Sequence, residues 1–267
     1  MIVKQKLLWK SRSGCASLSA VDGAGSLLQL LRDGVPRTRR ELSTVTGLGR
    51  STVAQRVDAL MSSALVGAAG EASSSGGRPP TQFAFNPSAH VVLAADVGAT
   101  HVHLAVTDLA ATVLASQSAD LEVALGPEVV LRWIVETGRL LMRRAGRRMS
   151  ELAGVGIGLP GPVEHATGRP INPPIMPGWD GFDVPGFVGR ALGCPVVADN
   201  DVNVMALGER YLSFRDVDHL MFVKVATGIG SGIISDGALR RGASGAAGDL
   251  GHIRVPHDLD AVCRCGN

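Results

Sequence analysis

The chain has 267 residues, of which 45% are hydrophobic and 19% are charged, and this apolar content with a formal net charge of only +2 excludes an intrinsically disordered protein. No run of about 18 apolar residues is present to span a membrane, and the apolar run near the N-terminus is too short for a signal peptide. Four cysteines do not indicate a disulfide framework. We therefore expect a soluble, cytoplasmic protein of one large or two modest domains. Residues 1–80 hold eleven Lys and Arg against five Asp and Glu, whereas the remainder holds 15 against 19, which favours a basic head that meets a polyanion, although such a balance is also common on solvated surfaces.

The basic head is predicted to contain three short helices. Ala24 to Arg32 carries leucines at helical spacing. Thr38-Arg-Arg-Glu41 has the form of a capping box, so a second helix begins there, with Leu42 and Val45 on one face and Gly47 at its end. The third helix has a buried stripe in which the apolar residues recur at i, i+4 and i+7: Val53, Val57 and Leu60.

The glycine-containing turn between the second and third helices is typical of a helix-turn-helix DNA-binding unit. With the apolar stripe of the third helix facing the core, a polar set faces outward near its N-terminal half, where base and phosphate contacts usually lie: Arg50, Ser51, Thr52, Gln55 and Arg56. The polar Glu71–Pro80 loop suits a wing, with Arg78 near its tip able to reach a minor groove. An ordinary three-helix domain with a linker has the same composition and stays open as the alternative.

From Asn86-Pro87 onward the pattern becomes that of an α/β domain. Strand-like runs cover residues 90–96, 102–108 and 112–115, an amphipathic helix fits Pro127 to Arg148, and a buried strand covers residues 153–159. Further on, residues 194–198 lead into a helix from Val202 to about Tyr211, and residues 220–226 form another strand. Three consecutive strands before the first helix argue against a doubly wound dinucleotide fold and fit a ribonuclease-H-like unit, followed by the opening of a second lobe.

Two glycine loops directly follow predicted strands and have the composition of phosphate-binding loops. In the first, Asp96 could hold a hydrated Mg²⁺, while Gly98 and Thr100 offer a backbone N–H and a hydroxyl to a phosphate. The second runs from Ala226 to Gly232 and offers Thr227, Gly228 and Gly230. Either loop alone is equally typical of a tight turn, and no Walker A sequence occurs. The pair indicates a nucleotide cleft between two lobes.

Polar residues between the two loops suit a sugar. Asn172, Asn200 and Asp201 have the planar amides and carboxylate that bind hydroxyls, and Asp201 at a strand end could act as general base toward one of them. An Asn-Asp pair at this place is also a common helix cap, so that interpretation stays open.

The C-terminal residues His252, Cys263 and Cys265 have the composition of a zinc site in a chain without disulfides. Zinc takes four ligands, and His257 is a possible fourth.

These motifs, in this order, resemble the ROK family of repressors and sugar kinases over nearly the whole chain. The resemblance implies phosphate motifs at Asp96–Thr100 and Ala226–Gly232, an actin- or hexokinase-type two-lobed fold, and zinc bound by His252, Cys263 and Cys265. It also implies that Asp201 is the sugar-hydroxyl base and that the sugar site is lined by Asn172, Asn200, Asp201, Asp249 and His252. A winged helix at the N-terminus is typical of the family's repressors and usually absent from its kinases.

Two departures from the family pattern bear on these expectations. Asp249 stands where the family usually has Glu, which lengthens or removes one sugar hydrogen bond. The sequence ends at Asn267, before the family's third cysteine and a further sugar-binding Glu, so we expect a truncated second lobe.

We therefore predict a sugar-responsive transcriptional regulator with a winged helix-turn-helix domain at residues 1–86 and a ROK sugar-binding domain at 87–267. Its expected partners are double-stranded operator DNA, a sugar or sugar phosphate as effector, and a second copy of itself in a homodimer or dimer of dimers. Its expected cofactor is structural zinc. The alternative is an ATP- and Mg²⁺-dependent sugar kinase with Asp201 as base.

Overall fold

The computed structural model describes residues 21–72, 79–226, 228–243 and 245–253. These residues form two compact units that divide between Val91 and Val92, with the short Thr107–Val113 segment grouped with the N-terminal unit. None of the described helices is both long and apolar enough to cross a membrane.

The N-terminal unit contains the three helices and the hairpin expected from the sequence. Its elements are α1 (Val21–Leu31), β1 (Arg37–Thr38), α2 (Arg39–Thr46), α3 (Arg50–Ser62), β2 (Val66–Glu71) and β3 (Thr81–Phe85). The strands form an antiparallel sheet in the order β1-β3-β2. The hairpin tip at residues 73–78, which includes Arg78, lies outside the described residues.

The capping box at the start of α2 is present as predicted. The Glu41 backbone N–H donates to Thr38 Oγ1, and the Thr38 backbone N–H donates to Glu41 Oε2 at 2.7 Å. Gly47 ends the helix in the left-handed conformation at φ 70°. Leu42 and Val45 are three residues apart in this helix, and of the two Leu42 is buried in the core while Val45 is 61% exposed.

The core of this unit is the apolar stripe of α3 against α1 and the sheet. The three predicted positions of α3 are buried, and they pack with Leu27, Leu31, Leu42, Val66 and Phe83. Each buried aliphatic side chain contributes about 1.5–3 kcal/mol relative to exposure. The helices are therefore held by packing as well as by their own hydrogen bonds.

The second unit is built on a five-stranded sheet in the order β10-β7-β4-β5-β6. Its elements are β4 (Val91–Val97), β5 (Val102–Asp108), β6 (Val113–Ala119), α4 (Pro127–Arg144), β7 (Leu152–Leu159), β8 (Val163–Glu164), β9 (Arg169–Pro170), α5 (Val184–Leu192), β10 (Val196–Asn200) and α6 (Asp201–Ser213). The three consecutive strands expected before the first helix of this domain are β4, β5 and β6. They lie next to one another in the sheet.

A smaller antiparallel sheet follows, made of β11 (Leu220–Val225), β12 (Ile229–Ser235) and β13 (Ala238–Arg240). The sequence did not predict α5, because three of its nine residues are poor helix formers: Pro185, Gly186 and Gly189. It also treated residues 229–232 as loop, whereas they are the first half of β12. Alternating glycines hide a strand because they remove the side chains that carry its apolar alternation.

Candidate functional site

The candidate site is built at the carboxyl ends of two neighbouring parallel strands. β7 and β10 pair in register, with Asn200 opposite Leu159, so the Gly158–Pro162 turn and Asn200-Asp201 emerge at the same edge of the sheet. This edge is where α/β sheets usually bind ligands. The two segments lie close together, since a Cβ at Gly158 would be in van der Waals contact with the Asp201 Cα at 3.4 Å.

Asn200 is the N-cap of α6, which is the second of the two interpretations that the sequence left open. Its Oδ1 accepts hydrogen bonds from the backbone N–H groups of Val202 and Asn203, at 3.0 and 3.2 Å. Its Nδ2 donates to the Gly161 carbonyl at 3.1 Å. The amide therefore fixes the turn after β7 against the start of α6.

Asp199 is a buried anchor beneath this edge, and the sequence analysis gave it no role. Its Oδ2 accepts from Arg241 Nε at 2.8 Å and Nη2 at 2.7 Å, and His165 Nδ1 lies 3.3 Å away. Its Oδ1 accepts from the backbone N–H of Asn200 at 2.8 Å. Arg241 lies 42 residues farther along the chain, so spacing alone could not identify the pair.

Asp201 is buried and paired with a lysine. Its side chain is 4% exposed, and its Oδ2 accepts from Lys224 Nζ at 2.6 Å. Lys224 lies in β11, directly before the second glycine loop, and its side chain is 26% exposed. The sequence analysis missed this residue, although the position of a lone lysine in an otherwise apolar strand was available as a signal.

Each of the two glycine loops contains a backbone hydrogen bond within the loop itself. The Gly98 N–H donates to the His101 carbonyl at 2.8 Å, and the Ala226 N–H donates to the Gly228 carbonyl at 2.9 Å. Asp96 is half-buried at the end of β4, and Thr100 is exposed. Each loop thus has a backbone N–H committed within its own turn.

Gly230 and Gly232 have a packing role in β12. A Cβ on Gly232 would lie 2.5 Å from the Ala206 Cβ and 2.9 Å from the Val202 carbonyl oxygen of α6. A Cβ on Gly230 would lie 3.1 Å from the Val202 Cγ2. The glycines let α6 lie close against the small sheet. Gly228 is in the turn itself, and Thr227 lies outside the described residues.

The remaining sugar-site candidates are more exposed. Asn172 is in the left-handed region at φ 42°, and its backbone N–H donates to Asp180 Oδ1 at 2.7 Å. Asp249 Oδ1 lies 3.7 Å from His252 Nε2 at a short helical turn. Gly161, which accepts from Asn200, also packs against Pro173 beside Asn172. Asn172 is thus one residue along the chain from a contact of Gly161, the glycine that also bonds to Asn200.

The zinc prediction falls mostly outside the described residues. Cys263, Cys265 and the possible ligand His257 lie there, so His252 is the one described residue of the set. In the parts of the chain that the structure describes, no three His, Cys, Asp or Glu side chains group closely enough to hold a metal ion. Zinc therefore remains a sequence-based prediction.

The outward face of α3 carries the predicted polar set in the N-terminal unit. Arg50, Ser51 and Gln55 are exposed, and Thr52 is half-buried. Arg56 is also half-buried, because its guanidinium lies against Gly23 of α1, 2.5 Å from where a Cβ on that glycine would be. Arg50 and Gln55 are thus the long polar side chains of this set that point away from the core.

A model of the ROK family matches residues 92–267. The chain belongs to the ROK family. A xylose repressor from Bacillus spizizenii is 31% identical over 242 residues, which covers 90% of this chain and 62% of that protein. A crystal structure of a ROK family transcriptional regulator, described as a homologue of the Escherichia coli MLC protein, superposes with a TM-score of 0.79 over 93% of this chain and 63% of that one, at 24% identity.

Sugar kinases are also similar to the second unit. A ROK family glucokinase from Streptomyces griseus, solved in complex with glucose and AMPPNP, has a TM-score of 0.56 at 29% identity over 66% of this chain and 54% of that one. The chain spans about three fifths of the length of the curated repressors it matches. The similarity to repressors extends beyond the family domain, whereas this kinase matches about the extent of that domain.

Proposed function

We propose that this ROK chain contains the DNA-binding and sugar-binding parts of a sugar-responsive transcriptional repressor. The observation that carries the proposal is the similarity to xylose repressors over 90% of the chain, compared with 66% for the glucokinase structure. A repressor function accounts for the presence of both units, whereas a kinase function accounts for the second unit alone.

The N-terminal unit, proposed as residues 1–86, is a winged helix-turn-helix with α3 as its recognition helix. Support comes from the glycine-ended α2, the exposed Arg50 and Gln55 at the start of α3, and the β2–β3 hairpin with Arg78 beyond its described part. Such a helix reads base edges with its N-terminal residues in the major groove.

The second domain, proposed as residues 87–267, binds the effector sugar beside Asn200 and Asp201. Zinc on His252, Cys263 and Cys265 would hold the C-terminal residues in place, and we propose that the protein acts as a dimer. Because a ligand shifts an equilibrium only by its differential affinity for two states, the sugar regulates DNA binding when it prefers one of the two.

The experiment is fluorescence anisotropy of the complete protein on DNA from its own upstream region, at two salt concentrations, with D-xylose, D-glucose and their phosphates. Salt-dependent binding that prefers this DNA over a scrambled duplex, and that one sugar shifts, supports the repressor. Equal binding to both duplexes contradicts it.

The second candidate function is an ATP- and Mg²⁺-dependent sugar kinase, favoured by the similarity to the glucokinase structure with glucose and AMPPNP. Asp96 and the two glycine loops would then position Mg²⁺ and phosphates, and Asp201 would accept the hydroxyl proton. Sugar-dependent ATP turnover that disappears in Asp201→Asn would support it.

A further inference from the structure

Lys224 is exceptional in the composition of the chain. Of the 26 basic residues, 22 are arginines, and three of the four lysines lie in the first ten residues. Lys224 is thus the single lysine in the following 257 residues. A lysine carries a compact ammonium with three rotatable donors, whereas an arginine presents a rigid planar fork, so the two are not interchangeable at a contact site.

We propose that the Lys224 ammonium prevents Asp201 from acting as a general base and that the two side chains bind the ligand together. The site therefore binds an uncharged sugar and does not phosphorylate it. The inference rests on the proposed function, and it names the ligand class and the residue that separates binding from phosphoryl transfer.

The first support is the geometry of the carboxylate. A general base must present a free lone pair to the hydroxyl proton that it removes. Asp201 Oδ2 already accepts from the Lys224 ammonium at 2.6 Å, and Oδ1 accepts from the Val202 N–H at 2.8 Å, so one of the two lone-pair sites on each oxygen is taken. Asp201 is 4% exposed and Lys224 is 26% exposed, so an entering hydroxyl meets the ammonium more readily than the carboxylate.

The second support is energetic. Removing two charges from water costs about as much as their attraction returns, so a buried ion pair does not by itself explain why a chain keeps it. A well-packed apolar pair of similar size would hold β11 against α6 equally well. A role in ligand binding accounts for the two charges.

The third support concerns the charge of the ligand. Within the described residues, Asp201 is the one polar partner of Lys224 Nζ, which leaves two N–H donors on the ammonium. The neighbouring Asp199 is balanced by Arg241 in the same way. The Lys224–Asp201 and Arg241–Asp199 pairs offer donors and acceptors to adjacent sugar hydroxyls, but the two pairs together carry no net positive charge for a phosphate dianion.

The experiment uses the complete protein labelled with ¹⁵N-lysine, with the Lys224 ammonium resonance assigned as the one lost in Lys224→Arg. D-xylose, D-glucose and glucose 6-phosphate are titrated in turn, and calorimetry gives their Kd values. We expect one neutral sugar to shift the Lys224 resonance with the calorimetric Kd, an effect that a purely structural ion pair does not produce. An unshifted resonance on sugar binding overturns the inference.

Two further measurements complete the test. Lys224→Met should weaken binding of that sugar on the order of tenfold or more, as expected for a hydrogen bond to a charged group, while Arg240→Met, which removes a cation from an exposed ion pair in the same small sheet, should not. ³¹P NMR with ATP, Mg²⁺ and the sugar should show no sugar phosphate.

Asp201-dependent phosphorylation by the unmodified protein, tighter binding of glucose 6-phosphate, or failure of all three sugars to bind overturns the inference. Anisotropy on operator DNA without sugar is measured separately. Loss of operator preference therefore contradicts the proposed repressor without touching the Lys224 result.

Discussion

Single residues in this chain position the candidate site through close backbone approaches. Gly161 lies against Pro173, and Gly232 lets Ala206 of α6 lie close to β12. Asn200 then uses its whole amide to cap α6 and to hold the Gly161 carbonyl. The half-buried amide of Asn200 is thus held beside residues too small to carry chemistry of their own.

Gly232→Ala tests this packing role. Its new Cβ would lie 2.5 Å from the Ala206 Cβ, so we expect the free energy of unfolding to fall by about 1–3 kcal/mol, as for other overpacked sites. Urea unfolding followed by tryptophan fluorescence measures the change. Gly208→Ala is the matched control, since a Cβ there meets nothing within 4 Å, and it should be neutral or slightly stabilising. Equal effects of both substitutions would contradict the role assigned to Gly232.

Among the secondary-structure elements, α2 and α3 combine local signals with a partner surface. The capping box of α2 is complete, and hydrogen bonds from Thr38 lower the pKa of Glu41 below its ordinary value. Arg39 of α2 pairs with Asp58 of α3 at 2.6 Å, so the two helices are also linked on their solvent side. Such an exposed pair contributes at most about 1 kcal/mol.

The lowered pKa of Glu41 predicts how α2 responds to acid. Since the folded-state pKa lies below the unfolded one, the stabilisation is complete above the ordinary pKa and is lost as the pH falls through the lowered value. We expect the protection factors of the α2 amides, which are corrected for the intrinsic exchange rate at each pH, to fall in that acidic window. In Glu41→Gln, which keeps an acceptor but does not titrate, the fall should be smaller. An identical pH profile in both proteins would contradict the assignment.

The outward face of α3 predicts a second result for this element. Arg50→Ala and Gln55→Ala should each weaken operator binding, and Arg50→Ala should lower the slope of log K against log salt by about 0.9 if it contacts one phosphate. Anisotropy at several salt concentrations measures both quantities. Arg190→Ala removes an exposed positive charge from the second unit and should leave affinity and slope unchanged. An effect of Arg190→Ala equal to that of Arg50→Ala would indicate attraction by overall charge alone.

At the scale of the whole molecule, the chain joins a small basic helical unit to a ROK domain, and it matches repressors along most of its length. In the proposed function the two ligands, DNA and sugar, bind to different units. Their influence on each other is then a coupling free energy, which thermodynamics requires to be reciprocal.

This reciprocity predicts that two measured changes in affinity are equal. If a saturating sugar changes operator affinity by some factor, saturating operator DNA must change the sugar affinity by the same factor, typically about 5–150-fold. Anisotropy gives the first factor and calorimetry with and without DNA gives the second. Two factors that differ would show that the sugar acts outside the protein–DNA equilibrium, and a factor of one in both would remove the regulatory coupling.

The sequence by itself determined the elements whose signals are local. The capping box of α2, the apolar stripe of α3 and the three strands β4–β6 follow from side-chain periodicity and short-range hydrogen bonds. The ROK motifs at the ends of β4, β7 and β10 were identified by their resemblance to the family. The sequence also offered two interpretations of Asn200, of which the structure shows the helix cap.

Only the tertiary structure decided which charges meet. Asp201 and Lys224 are 23 residues apart, Asp199 and Arg241 are 42 residues apart, and both pairs form because β10, α6 and the small sheet fold against one another. It also turned Val45 to solvent and placed Arg56 across Gly23, because those orientations depend on neighbouring helices. Local patterns fix an element, but long-range packing decides what its side chains contact.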